Sequence, residues 1–295
     1  ILLILVHHGN EVQMKTQMNS NRQTKIILLA IITFQLIVIF FIGQKKEGFQ
    51  FDEIFSYIFA NSYENPKLDQ SLYLKWLEPE YFSKALQVST DHRFSYKSTY
   101  LNQTKDVHPP LYYLFLHTIC SFFPENFSKW YGISINMVFF VICNIFIFLI
   151  SKKLFRDEFV ALLPSIIWGF SAGAISTVVF IRMYMLLTTL VVMSIYCHLL
   201  FIDQKRPNRN LFLLFFVNFL GILTHYYFLI FIFFISVLCL SLFILQRNYS
   251  QLKRYAITIM ITLFAGVAFY PLPVTNVSPG REMNEAFNAI SMISN

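Results

Sequence analysis

A chain of 295 residues that is 56% hydrophobic and only 13% charged, with 34 Phe and a mean hydropathy of +0.55, is not a soluble globular domain. Its net charge of +7 is no nucleic-acid signature, because the Lys and Arg residues sit in short loops between apolar runs, where they orient membrane proteins. Cys120, Cys143, Cys197 and Cys239 all fall inside apolar runs without metal-ligand spacing and read as small core residues.

From the N-terminus, residues 1–6 are too short an apolar run to cross a bilayer, and Met18 reads as the true start. Residues 1–25 are then a cytoplasmic segment. The first span is expected at 26–43. Gly43-Gln44-Lys45-Lys46 after it offers no small-x-small cleavage site, so an uncleaved anchor is expected. Residues 44–130 form a long loop, mixed in charge, with amphipathic pieces at 72–77 and 81–86 that suit surface-lying juxtamembrane helices.

Six further spans are expected at 131–150, 159–180, 183–202, 211–223, 226–245 and 255–273, most of them near the ~20 residues a helix needs. Residues 211–245 carry no charge and are too many for one helix, and Thr224-His225 is their strongly polar interruption, so a tight hairpin belongs there. The predicted fold is an all-α polytopic bundle of about seven spans. Residues 274–295 read as an outer loop of a chain that continues, the transmembrane module being 26–273.

Residues 108–123 are apolar yet start on Pro109-Pro110, which suits a first helical turn and spoils an interior. If this segment does not span, three loops carrying nine Lys or Arg, at 152–156, 205–209 and 247–254, share the side of Arg22 and Lys25. The positive-inside rule favours that version. Residues 108–123 are then a juxtamembrane or re-entrant helix. Asp52-Glu53, His108-Pro109-Pro110, Arg182-Met183-Tyr184, Thr224-His225-Tyr226-Tyr227 and the tail with Arg281 and Glu282 all fall on the non-cytoplasmic side.

Singly, each cluster has a plainer reading. Asp52-Glu53 serves as interfacial acids or as the first-turn charge of a surface helix, and His108-Pro109-Pro110 as a helix start. His225 with Tyr226 and Tyr227, and Tyr112 with Tyr113, suit an aromatic belt. Arg182 says more, being the one charge in residues 159–202 and lying where positive charge is disfavoured. The weight lies in their occurrence in one order on one face.

That ordered set, Asp52-Glu53 with Phe55-Ser56, then Val107-His108-Pro109-Pro110-Leu111-Tyr112-Tyr113, Arg182-Met183-Tyr184 and Thr224-His225-Tyr226, resembles the C-type integral-membrane glycosyltransferases that use polyprenyl-phosphate sugars. These include the protein O-mannosyltransferases and the bacterial aminoarabinose and lipopolysaccharide-sugar transferases. The likeness covers about residues 26–273. It implies transfer from a polyprenyl-phosphate sugar to a lipid, glycan or protein acceptor, with the catalytic acid at Asp52 and no cofactor or metal carried over. Few Gly, many Ile, Lys and Asn, and the resemblance together point to a bacterial cytoplasmic membrane, N-terminus inside and site outside, and an endoplasmic-reticulum enzyme with its site in the lumen would show the same polarity.

The chemistry suits these residues. A polyprenyl phosphate leaves readily, so the site must chiefly supply a base for the incoming hydroxyl. Glu53, grouped with Asp52 as a catalytic candidate, leaves a different helix face one residue on and is expected to orient a ligand or a basic side chain. Arg182 offers a fork matched to phosphate oxygens, with Tyr184, His225 and His108 as further donors, or His108 as a holder of the base. Pro109, Pro110, Tyr112 and Tyr226 are supporting candidates. Two other classes stay open: a transporter or lipid flippase, in which Asp52, Arg182 and His225 line a path, and a non-catalytic membrane assembly subunit.

Overall fold

The computed structural model describes residues 2–63, 75–76, 78–104, 106, 108–155, 157–203 and 205–270, with side chains from residue 22, Pro79 apart. Among them all regular structure is helical. The amphipathic piece at 72–77 lies largely outside the described residues, as do Val107, residues 271–273 of the last expected span, and the tail with Arg281 and Glu282.

The first helix, α1 (Leu2–Gln44), is long and apolar enough to cross a membrane over Arg22–Gln44. A group of short helices follows: α2 (Phe51–Asn61), α3 (Pro79–Leu86), α4 (Tyr96–Gln103) and α5 (Leu111–Phe122). The remaining helices, joined by turns, are α6 (Lys129–Phe155), α7 (Leu162–Gly169), α8 (Ala172–Val179), α9 (Tyr184–Ile202), α10 (Pro207–Ile222), α11 (Tyr227–Leu245) and α12 (Tyr249–Phe269). Around the bundle, α1 lies against α6, α7 and α8, α6 against α9, α9 against α10, and α10 and α11 against α12.

Five of these helices meet the length and apolarity of a span, and α7 with α8 makes a sixth if the pair is one bent span. The expectation of seven differs in two places. The run 159–180 is not one straight helix but two pieces meeting at 60°, where Ser171 accepts the Ala174 N–H and starts α8 afresh. The bend has a packing reason as well. A Cβ at Gly169 would come within 2.2 Å of the Gln35 amide of α1, which donates to the Ser165 carbonyl. The other difference is α10, opened by Pro207 and closed by the turn before α11, so that its 16 residues reach only about 24 Å.

The turn at Thr224-His225 joins α10 to α11 as expected from the uncharged run. Helix α5, with 12 residues, extends about 18 Å and packs on α2, α4 and α6. Apolar residues also cover the outside of the bundle, as on α11, where Phe233, Phe234 and Leu238 are exposed. That pattern is stable where the surroundings are hydrocarbon. All four cysteines are buried and free.

The bundle has two distinct polar ends. At one, Lys153 pairs with Asp203 and Arg254 donates to Asn208, alongside the other basic turns. At the opposite end α2–α5 sit over the ends of the long helices: the Lys129 ammonium donates to the Gln44 carbonyl at 3.0 Å, the Leu111 N–H to the Leu223 carbonyl at 3.0 Å, and the Tyr270 hydroxyl to the His108 carbonyl at 3.1 Å.

Candidate functional site

The site is assembled at this second end, around the short link between α8 and α9 that carries Ile181 and Arg182. Asn136 of α6 donates to the Val178 carbonyl at 3.1 Å and to the Phe180 carbonyl at 2.9 Å, holding the last turn of α8. Glu53 Oε1 accepts the Ile181 N–H at 2.8 Å. Gly132 lets α6 approach, since a Cβ there would fall 2.1 Å from Ile181 Cγ2. Two helices, α6 and α2, thus fix the peptide from which Arg182 projects.

Asp52 and Glu53 occupy the first turn of α2, where carboxylates face the positive end of the helix dipole. Adjacent helical residues diverge, and here they divide the labour. Glu53 is fully buried. Its Oε2 accepts from the Lys46 ammonium at 2.9 Å and from the Gln50 N–H at 2.8 Å, while Oε1 holds Ile181. Both oxygens are engaged by the protein, so Glu53, grouped with Asp52 as a catalytic candidate, sits as an internal tie on a basic side chain. Asp52 is the accessible partner, its side chain 56% exposed and its Oδ2 4.0 Å from Arg182 Nη2.

The guanidinium of Arg182 is gripped from several sides. Nη1 donates to the Asp52 carbonyl at 3.2 Å, to Ser56 Oγ at 3.4 Å and to the Tyr113 hydroxyl at 3.2 Å. Nη2 lies 3.3 Å from His108 Nε2. A cation held this tightly, its side chain only 5% exposed, keeps one orientation. Burial pushes the Tyr113 phenol up, so it stays protonated beside the arginine, whose charge acts in the opposite sense.

His108 comes from the corner before α5, with Pro109 and Pro110 buried behind it and Pro110 preceding the first residue of the helix. Its ring lies 5.6 Å from that of His225, which in turn lies 5.8 Å from Tyr184. His225 Nδ1 accepts the Tyr227 N–H at 3.1 Å. Burial first, then the nearby His108 and Arg182, push the His225 imidazole down to about 4, so it is neutral at neutral pH. With Nδ1 accepting, its Nε2 carries the proton. Tyr184 reaches the cluster through its ring and stacks on Phe180 at 6.0 Å.

Asp52, Arg182, His108, His225 and Tyr184, drawn from remote segments, are therefore neighbours. Two supporting candidates stand back from them. Tyr112 is wholly buried in the core beside Tyr113. The hydroxyl of Tyr226 is also buried, and its phenol is pushed up to about 12 by burial and by Asp106.

Sequence reasoning missed three members. Tyr113, read as belt, is a direct partner of Arg182, and so is Ser56, which follows the acidic pair by one helical turn. Asp106, in no motif, places Oδ2 3.0 Å from His108 Nδ1. An acid two residues before the His-Pro-Pro corner was its only signal. Among the described residues no group of three or more His, Cys, Asp or Glu is placed to hold a metal ion. Compared with known proteins, the chain matches no family model, no curated protein and no solved structure.

Proposed function

We propose that this is a membrane glycosyltransferase, taking a sugar from a polyprenyl-phosphate donor to an acceptor hydroxyl or amine at the non-cytoplasmic face. The observation that carries the reading is the pairing of an approachable carboxylate, Asp52, with a buried, fully oriented guanidinium, Arg182, 4.0 Å away. Asp52 takes the proton of the acceptor as it attacks the anomeric carbon. The sugar–phosphate bond breaks as the new bond forms, inverting that centre, and the electron pair leaves with the phosphate. Arg182 stabilises the charge gathering there, with the Nε2–H of His225 and the Tyr184 hydroxyl as neutral donors. The isoprenoid tail lies among the spans, where lipid is nearly as good a solvent, so its burial contributes placement more than affinity.

Sidedness is part of the proposal. The end bearing Lys152, Lys153, Lys205, Arg206, Arg209, Arg247, Lys253 and Arg254 is assigned to the cytoplasm with Arg22 and Lys25, by the positive-inside rule. With α10 and the α7–α8 pair each counted as crossing, seven spans place the site on the other side. A bacterial cytoplasmic membrane is the setting that accompanies this reading.

The transporter or flippase reading draws on one observation, a buried polar group inside the bundle. Asn218 accepts from Ser194, and His198 bridges the Ser194 carbonyl at 2.7 Å and the Tyr255 hydroxyl at 3.0 Å. His198 Nε2 joins α9 to α12 while Nδ1 bonds back within α9, so both nitrogens are engaged, as in a clamp between helices. The decisive experiment is to supply purified protein with labelled polyprenyl-phosphate sugar and acceptor. Release of polyprenyl phosphate is expected; its absence across sugars and acceptors, with donor or proton flux across vesicles instead, overturns the reading.

A further inference from the structure

Asp106 faces one nitrogen of the His108 ring and Arg182 faces the other. Asp106 Oδ2 lies 3.0 Å from Nδ1, the two side chains being 19% and 20% exposed, and Arg182 Nη2 lies 3.3 Å from Nε2. A guanidinium nitrogen only donates, so Nε2 must present its lone pair. The ring proton is then on Nδ1 and is donated to Asp106. A second proton at Nε2 would set N–H against N–H and break the link to the arginine.

The ring is held by its backbone too. The Asp106 N–H donates to the Gln103 carbonyl at 3.0 Å, and Tyr270 at the end of α12 donates to the carbonyls of Gln103, at 2.8 Å, and His108, at 3.1 Å. With Nη1 of Arg182 already bound to α2 and α5, His108 fixes the one remaining freedom of the guanidinium, its tilt at Nη2. The 4.0 Å gap from Nη2 to Asp52 is longer than a hydrogen bond. The second Nη2 hydrogen is therefore open to an oxygen of the donor phosphate, while the Nε–H of Arg182, also without a partner, is buried.

We infer that Asp106 is a positioning residue for the proposed transfer, holding His108 in the Nδ1–H tautomer so that its Nε2 sets the Arg182 guanidinium toward the donor phosphate and Asp52. The catalytic half of this inference rests on the transferase reading, whereas the tautomer does not. The arrangement parallels a carboxylate behind a metal-bound imidazole, where losing the outer partner costs roughly 10- to 100-fold in activity.

The test uses the full chain, ¹⁵N-histidine labelled, in lipid bilayers, with the His108 signals assigned by their loss in His108→Gln. A protonated Nδ1 and a bare Nε2 are expected in the wild type, and in Asp106→Asn, whose amide oxygen still accepts. Asp106→Leu, similar in size but without an acceptor, is expected to lose that tautomer and to reduce kcat/KM for donor roughly 10- to 100-fold, with Asp106→Asn recovering much of it. A wild-type ring protonated at Nε2, or an Asp106→Leu variant that keeps both tautomer and rate, overturns the inference. Wild-type protein that shows the tautomer but never releases polyprenyl phosphate overturns the transferase reading and the catalytic half with it.

Discussion

Asp52 Oδ2 and Arg182 Nη2 stand 4.0 Å apart, the carboxylate side chain 56% exposed and the guanidinium side chain 5%. The pair is too wide for a direct hydrogen bond, and solvent at the exposed aspartate screens their attraction. One partner is fixed by its neighbours and the other is open to approach. A ligand that brings its own anion can bridge to the arginine while leaving the aspartate free to take a proton, which is the division of roles that sugar transfer from a phosphate requires.

Arg182 should show its role in donor kinetics. Arg182→Ala removes the fork and leaves His108, Tyr113 and Ser56 facing an empty place, so kcat/KM for donor is expected to fall roughly 100-fold or more, through a raised KM, a lowered kcat or both. Arg182→Lys keeps the charge but cannot reach both sets of partners and should recover only part of the loss. Steady-state kinetics on the released polyprenyl phosphate check this, and a Lys variant equal to the wild type would argue against oriented donation.

Glu53 predicts a stability effect. Glu53→Ala strands the Lys46 ammonium, 14% exposed, and frees the Gln50 and Ile181 N–H groups, at a cost of about 3 kcal/mol. Thermal unfolding in detergent should reveal the drop. Replacing both Lys46 and Glu53 by apolar residues of similar size should restore part of it, because no charge is then left without its partner.

His225 gives a pH dependence of definite sign. An ordinary histidine titrates near 6.5, whereas the folded protein resists protonating His225 until about 4. Between these values the unfolded chain binds the proton and the folded chain does not. The His225 contribution is thus complete above 6.5 and declines as the pH falls toward 4. Thermal unfolding across this interval should be less pH-dependent in His225→Gln than in the wild type; equal dependence would place the sensitivity elsewhere.

Much of this architecture was legible because it rests on local chemistry. Long apolar runs marked the five helices able to span, Pro109-Pro110 marked the start of α5, and one polar dipeptide marked the turn before α11. The site was legible only as an ordered set of residues, and its internal roles were not. Nothing in Asp52-Glu53 says which acid faces inward; that follows from where Lys46 and Ile181 lie. Asp106 and Tyr113 became visible only when α5 and its leading corner were set against Arg182. The bend between α7 and α8 depends on Gln35 packing on Gly169, a contact between remote segments that hydropathy cannot express.

Sidedness is checked by labelling single cysteines introduced at Asn126 and Lys205 with an impermeant reagent from either face of the membrane; the four native cysteines are buried. Opposite accessibility is expected, Asn126→Cys from outside and Lys205→Cys from inside. The reverse, Asn126→Cys from inside and Lys205→Cys from outside, would mean that residues 108–123 cross the bilayer, and equal accessibility would mean that the α7–α8 pair does not cross.

The most direct measurement of the central claim is single-turnover transfer by Asp52→Asn beside the wild type, with donor binding and thermal stability followed in parallel. The carboxamide keeps the size of the side chain and removes the base, so transfer is expected to fall about 10²- to 10⁴-fold while the protein still folds and binds donor. Near-normal turnover by Asp52→Asn would contradict the account.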